Sequence, residues 1–194
     1  MSESFERAVR MGVDVGKVRV GIALTDPGCV LATPHQTLAR DSNPRKAFDV
    51  KIITRLCEER HVRTVYVGLP RSLDGRENDS TVMARDYAAM LVRRLGSRGC
   101  TTQVRLVDER LSTVAAHQSM LDSGVSRRDH MDRVDQAAAV TFLQTAVDQG
   151  LRTGVEPGER VGAVEQAQQC TEGRVTSPQG DAPKTTRTAD GEYS

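Results

Sequence analysis

Five acids in this chain of 194 residues stand where an acid calls for a reason: Asp14, Asp108, Glu109, Asp132 and Asp135. Asp14 interrupts the apolar run Met11-Gly12-Val13-Asp14-Val15-Gly16. A carboxylate in such a strand needs a cation, hydrogen bonds or a proton to offset its lost hydration. The ordinary reading is a strand-end Asp that hydrogen-bonds the following turn. The chemical reading is a metal ligand, with neighbouring glycines that let a bound group approach the backbone.

Asp108 and Glu109 close the run ending in Val107 and precede a loop. Successive strand residues point to opposite faces, so at most one of the two can join Asp14 directly. The other can pair with Arg110 or cap a helix starting near Ser112. Asp132 and Asp135 fit an N-cap and a first-turn acid, both favoured by the helix dipole. Yet Asp135 also falls on the stripe of Ala138, Ala139, Phe142 and Ala146, the apolar side of its helix. That facing turns it toward a sheet and makes it the third candidate. Carboxylates from two strands and a helix form a hard-oxygen site suited to Mg2+ or Mn2+, and no His/Cys cluster competes for zinc. Two such ions about 4 Å apart would activate water and stabilise the leaving oxygen in phosphodiester cleavage.

Cations lie near these acids in sequence. Arg71 and Arg76 belong to the loop Gly68-Leu69-Pro70-Arg71-Ser72-Leu73-Asp74-Gly75-Arg76, which is not a Walker loop because GxxxxGK[ST] is missing. They can hold phosphate, or the loop can be a plain strand-to-helix connection. Arg127, Arg128 and Arg133 form a basic cluster with His130 that can guide a nucleic-acid backbone, or simply be solvated. The four histidines are dispersed and receive no catalytic role.

The elements that must position these residues follow from pattern. Two β-branched runs flank Gly16-Lys17 and a third runs from Cys29 to Leu38 after Asp26-Pro27-Gly28, so the first three strands read as an antiparallel meander. A helix is expected from about Pro44, with Asp41, Ser42 and Asn43 as cap residues. Strands at 64–67 and 104–108 alternate with helices at about 80–95, 112–121 and 132–147, the last after a loop at 124–130. The order predicts an α/β domain over 9–149, a five-stranded mixed sheet with its first strand central and helices on both faces. Residues 1–8 read as a flexible N-terminus. Residues 150–194 contain almost no bulky aliphatics and read as a disordered tail, or one that binds a partner.

Composition narrows the class further. The net charge is +1, and residues 151–194 carry 5 Lys/Arg against 7 Asp/Glu, so the cationic excess of the rest is mild. Four scattered cysteines without a CxxC pair fit a reduced cytoplasm, and no signal peptide or membrane-spanning run is visible.

Together, GVDVGKVRVGIALTD at 12–26, VGLPRSLDG at 67–75, VDERLST at 107–113 and VDQAAAVTFLQ at 134–144 resemble the YqgF family, described both as Holliday junction resolvases and as pre-16S rRNA nucleases. The resemblance covers residues 9–149. It implies a ribonuclease-H-like fold, a cytoplasmic location and a role in ribosome biogenesis, maturing the 5′ end of small-subunit ribosomal RNA. It also implies Asp14, Glu109 and Asp135 as metal-binding catalytic acids, with Asp108 as neighbour. Resolvases of this fold tend to carry a fourth acid on the last helix; here the position past Asp135 holds Ala138, and only Asp132 stands near. The expected partner is nucleic acid, either precursor RNA or branched DNA, with no membrane, and the protein a monomer or homodimer. The competing readings are a non-catalytic RNA-binding assembly protein and, from the DxG hairpin ending in Asp26, a sugar-kinase or actin-type ATPase. The latter needs a second such domain, for which the chain has no room.

Overall fold

Strand β1, Arg10–Val15, sends Arg10, Gly12 and Asp14 to one face of a sheet and Met11, Val13 and Val15 to the other. The computed structural model describes residues 3–41, 43, 45–70, 78–108 and 127–162, excepting the side chains of 127–136. Strand β2 (Arg19–Thr25) pairs antiparallel with β1 and β3 (Ala32–Ala39) antiparallel with β2, the meander expected from the turn residues. Strands β4 (Thr64–Leu69) and β5 (Gln103–Asp108) add in parallel on the far side of β1. The sheet order is β3-β2-β1-β4-β5-β6, so β1 is internal.

Helices cover both faces. Helix α1 (Phe48–Glu59) and helix α2 (Asp79–Ser97) pack on the Met11/Val13/Val15 face, where Val50, Ile53, Leu91 and Leu95 join the core. Helix α3 (Arg127–Thr153) covers the other face through Ala139, Phe142, Leu143, Ala146 and Val147, against Ala23, Tyr66 and Val107. Helix α2 starts on a reciprocal cap between Asn78 and Thr81. Helix α1 begins later than its cap-like residues suggest. Asp41 and Asn43 accept backbone N–H groups from Asn43 and Arg45 in turns, and Asp41 also accepts from Phe48.

Three boundaries differ from the sequence reading. Helix α3 begins at Arg127, not 132, so Arg127 and Arg128 belong to a helix and not a loop. No Gly or Pro from 127 onward interrupts it before Gly150. It also runs past Gly150, where the missing Cβ makes room for the Phe5 ring, and stops before Gly154 in the left-handed region at φ +69. The helix expected at 112–121 lies outside the described residues.

The third difference concerns the chain ends. A sixth strand, β6 (Glu159–Arg160), pairs antiparallel with β5 inside the stretch read as an unpacked tail. Residues 3–8, read as flexible, clasp the same stretch. Ser4 bridges Val155, Phe5 N–H donates to the Gly154 carbonyl at 3.0 Å, and Glu3 pairs with Arg105 and Arg160. Beneath the clasp, the fully buried Arg10 donates through Nη2 to Glu156 at 2.7 Å, and Tyr66 donates to the same carboxylate at 2.7 Å. The Arg10 guanidinium lies 3.9 Å from the Phe5 ring centroid. Arg105 donates to the carbonyls of Glu156, Pro157 and Gly158. The segment is therefore ordered by buried polar pairing rather than by aliphatic burial, and a hydropathy count does not register that. No helix among the described residues is long and apolar enough to cross a membrane.

Candidate active site

Asp14 is half-buried on the α3 face of β1, one residue before its end. Its cross-strand partner on β2 is Gly21. On the other side the register runs Met11–Val65, Gly12–Tyr66, Val13–Val67, which sets Gly68 beside Asp14. The carboxylate thus stands on a row with a glycine on each flank, and neither flank has a side chain to cover it. An acid on such a row, half-buried on a sheet face, is a candidate ligand for a hard cation. Neither glycine stands next to Asp14 in sequence, so only the register reveals the pairing. Arg19, two residues before Gly21, shares this face and is a cation that the motifs did not single out.

Helix α3 approaches β1 closely at Gly12. A Cβ there would lie 2.9 Å from the Ala139 carbonyl oxygen and 2.9 Å from Leu143 Cβ. Phe5, before β1, meets the helix at Gly150. Strand and helix therefore run in opposing senses. From the Gly12 contact, Asp14 is about 6.6 Å further along the strand. Asp135 is one helical turn before Ala139, about 6 Å along the helix. Both steps lead to the same end of the sheet. The close approach yields a prediction. Gly12→Ala forces the helix backbone away and should cost about 1–3 kcal/mol as overpacking, lowering the melting temperature by several degrees. An unchanged melting temperature would show that the contact is not tight.

Asp108 pairs in register with Leu69, and Leu106 with Val67. Val67, Leu69 and Leu106 all belong to the core beneath α1 and α2, so Asp108 projects to the face opposite Asp14. Glu109, Arg71 and Arg76 lie outside the described residues. Arg127, Arg128, Arg133 and Asp135 are placed on α3 by their backbone alone. Among the described residues no group of three His, Cys, Asp or Glu side chains is gathered to hold a metal. Asp26 is engaged by its own loop. Its carboxylate accepts from Leu31 and Val30 N–H at 2.7 and 2.9 Å, and these bonds hold its pKa below the usual range.

Comparison with known proteins adds to this geometry. A family model described as "RuvX: Holliday junction resolvase" matches residues 8–149. A protein of Frankia casuarinae described as "Putative pre-16S rRNA nuclease" is 46% identical over 150 residues, covering 77% of this chain and 71% of its own length. One of Mycobacteroides abscessus with the same description is 46% identical over 150 residues, covering 77% of this chain and 87% of its own. Among solved structures, T. thermophilus RuvC in complex with a Holliday junction substrate superposes with a TM-score of 0.52 at 12% identity, covering 77% of this chain and 99% of that one. That likeness is one of fold, the ribonuclease-H-like mixed sheet with helices on both faces.

Proposed function

We propose, because this chain belongs to the RuvX family of Holliday junction resolvases and is similar to proteins described as pre-16S rRNA nucleases, that it is a metal-dependent hydrolase of phosphodiester bonds that trims the 5′ end of precursor 16S ribosomal RNA in the cytoplasm. The observation that carries this reading is the Asp14 carboxylate on the α3 face between Gly21 and Gly68, at the sheet end to which the Asp135 turn leads.

Asp14, Glu109 and Asp135 are the residues we assign to Mg2+ or Mn2+. Glu109 is preferred to Asp108 because Asp108 shares the face of Leu106, opposite Asp14, and the family resemblance implies Glu109 as the ligand. Bound there, such an ion supplies an activated water and charge stabilisation for the departing oxygen. Gly21 and Gly68 add no side chain of their own between the acid and a scissile phosphate. Arg71, Arg76, Arg127, Arg128 and Arg133, with Arg19, would hold the flanking backbone against the repulsion of the acids for phosphate.

The family description favours a second substrate, junction DNA. Incubating the protein with Mg2+ and either a 5′-extended 16S precursor or a four-way DNA junction separates them. We expect the RNA to be shortened at its 5′ end, with the junction cut more slowly. Cleavage of the junction alone would assign the resolvase role. Cleavage of neither would leave a non-catalytic binding protein.

A further inference from the structure

We infer that the groove between α1 and α2, on the sheet face opposite Asp14, is a second binding site for RNA backbone, holding a part of the substrate remote from the cut. This rests on the reading of the chain as an RNA nuclease. The groove has a volume of about 240 Å³ and is lined by Arg45, Lys46, Lys51, Arg93 and Arg94 over a floor of Val50 and Met90. Among the described residues no acidic side chain lines it. Five cations concentrated here, in a chain whose net charge is only +1, form a local field well above the molecular average.

The details favour phosphate. Arg45, Lys46 and Lys51 are exposed and have no carboxylate partner among the described residues. Arg94 is half-buried at the groove wall, and its charge also acts on Glu58. The groove is smaller than pockets that enclose a whole ligand, so a backbone lying along it fits better than a captured small molecule. Phe48 stands beside it, 57% exposed, with the Lys51 ammonium 4.9 Å from its ring centroid. An exposed aromatic next to cations is the pairing that stacks a base while holding its phosphate. An acidic protein partner would match the charge but would leave Phe48 unused. Because α1 and α2 pack on the Met11/Val13/Val15 face, RNA seated here does not compete with the scissile phosphate at Asp14.

The test measures binding without divalent ions, so it does not depend on cleavage. Fluorescence anisotropy would compare the full chain with its Arg45→Ala/Lys46→Ala/Lys51→Ala variant on two RNAs. One is a 5′-extended 16S precursor; the other is a short oligonucleotide spanning only the cut. Three lost phosphate contacts should weaken the long RNA by about 100-fold at 0.1 M salt and lower its salt slope by about 2. The short RNA, and its rate of cleavage with Mg2+, should be unchanged. The charge-conserving Lys46→Arg/Lys51→Arg variant should bind like the parent, and Phe48→Ala should weaken the long RNA alone. Unaltered affinity and slope for the long RNA would overturn the proposal, as would equal losses on both RNAs. Displacement of the long RNA by polyglutamate as readily as by competitor RNA would assign the groove to an acidic protein instead. If the parent cleaves neither RNA, the nuclease reading fails while the binding comparison still decides the groove.

Discussion

Replacing Asp14 by Asn should lower the rate of phosphodiester cleavage by at least about 1000-fold, while nucleic-acid affinity measured without divalent ions stays the same or rises. The substitution keeps shape and removes one negative charge at the centre of the proposed site. Phosphoryl transfer depends almost wholly on positioning and on charge placed to stabilise the transition state. Loss of the acid assigned to the ion should therefore act on turnover rather than on binding. Asp14 stands between Gly21 and Gly68, so no neighbouring side chain on its own row can replace it. In the absence of metal the variant should be at least as stable as the parent, because one member of the proposed acid cluster is gone. A variant that melts well below the parent, with activity falling in proportion to the unfolded fraction, would assign Asp14 a structural role instead. Titration of Mg2+ against activity separates the cases further. A weakened metal site gives a raised Mg2+ requirement, and a destabilised fold does not.

Removing Arg10 should produce the largest loss of stability. Its guanidinium is fully buried and pairs with Glu156 Oε2 at 2.7 Å, where the two side chains are 0% and 3% exposed. Taking away one partner strands the other charge in the interior, which typically costs about 3–5 kcal/mol. Arg10→Met keeps the packing volume and should show that cost in urea unfolding. Replacing both, as Arg10→Met/Glu156→Leu, should recover most of it, since a buried ion pair and an apolar pair of similar volume are often close in stability. A loss for the double variant as large as for the single would mean that packing, not charge, is what Arg10 provides. The pair also sets a pH dependence. Burial pushes the Glu156 pKa up, but the hydrogen bonds from Arg10 and Tyr66 and the Arg10 charge outweigh it and hold the carboxyl below its ordinary value. A depressed folded-state pKa stabilises above the unfolded value, near pH 4.5, and loses that contribution as pH falls through the folded one. Acid unfolding should therefore release residues 154–162 early. Glu156→Gln should flatten this acid limb and leave the neutral-to-alkaline range parallel to the parent.

The same pair explains what the sequence did and did not disclose. The meander, the internal position of β1 and the alternation of strands with helices follow from turn residues and periodicity, which act over a few neighbours. Strand β6 has two residues, Glu159 and Arg160, both exposed and charged, and so carries no periodic signal. The strand and the turn before it are held by contacts between residues over 100 positions apart, such as Glu3 with Arg160 and Arg10 with Glu156. Arg10 itself reads as a charge bordering a strand, since nothing local shows that a carboxylate waits for it. The candidate site is legible in the same uneven way. Asp14 stood out because an acid in an apolar run is costly wherever the strand lies. The choice between Asp108 and Glu109 stayed open because alternation gives opposite faces without saying which face is which. Only the register Leu69–Asp108 ties Asp108 to the side away from Asp14. The flanking pair Gly21 and Gly68 needed the register too.

The most direct test of the account is a crystal soaked in Mn2+ and measured for anomalous scattering. Asp14, Glu109 and Asp135 are proposed to share an ion, so a manganese peak should lie about 2.1 Å from an Asp14 carboxylate oxygen, as hard divalent ions of this size prefer. Carboxylates of Glu109 and Asp135 should complete the shell. A peak bound by other residues, or Asp14 and Asp135 facing away from one another with no metal between them, would contradict it.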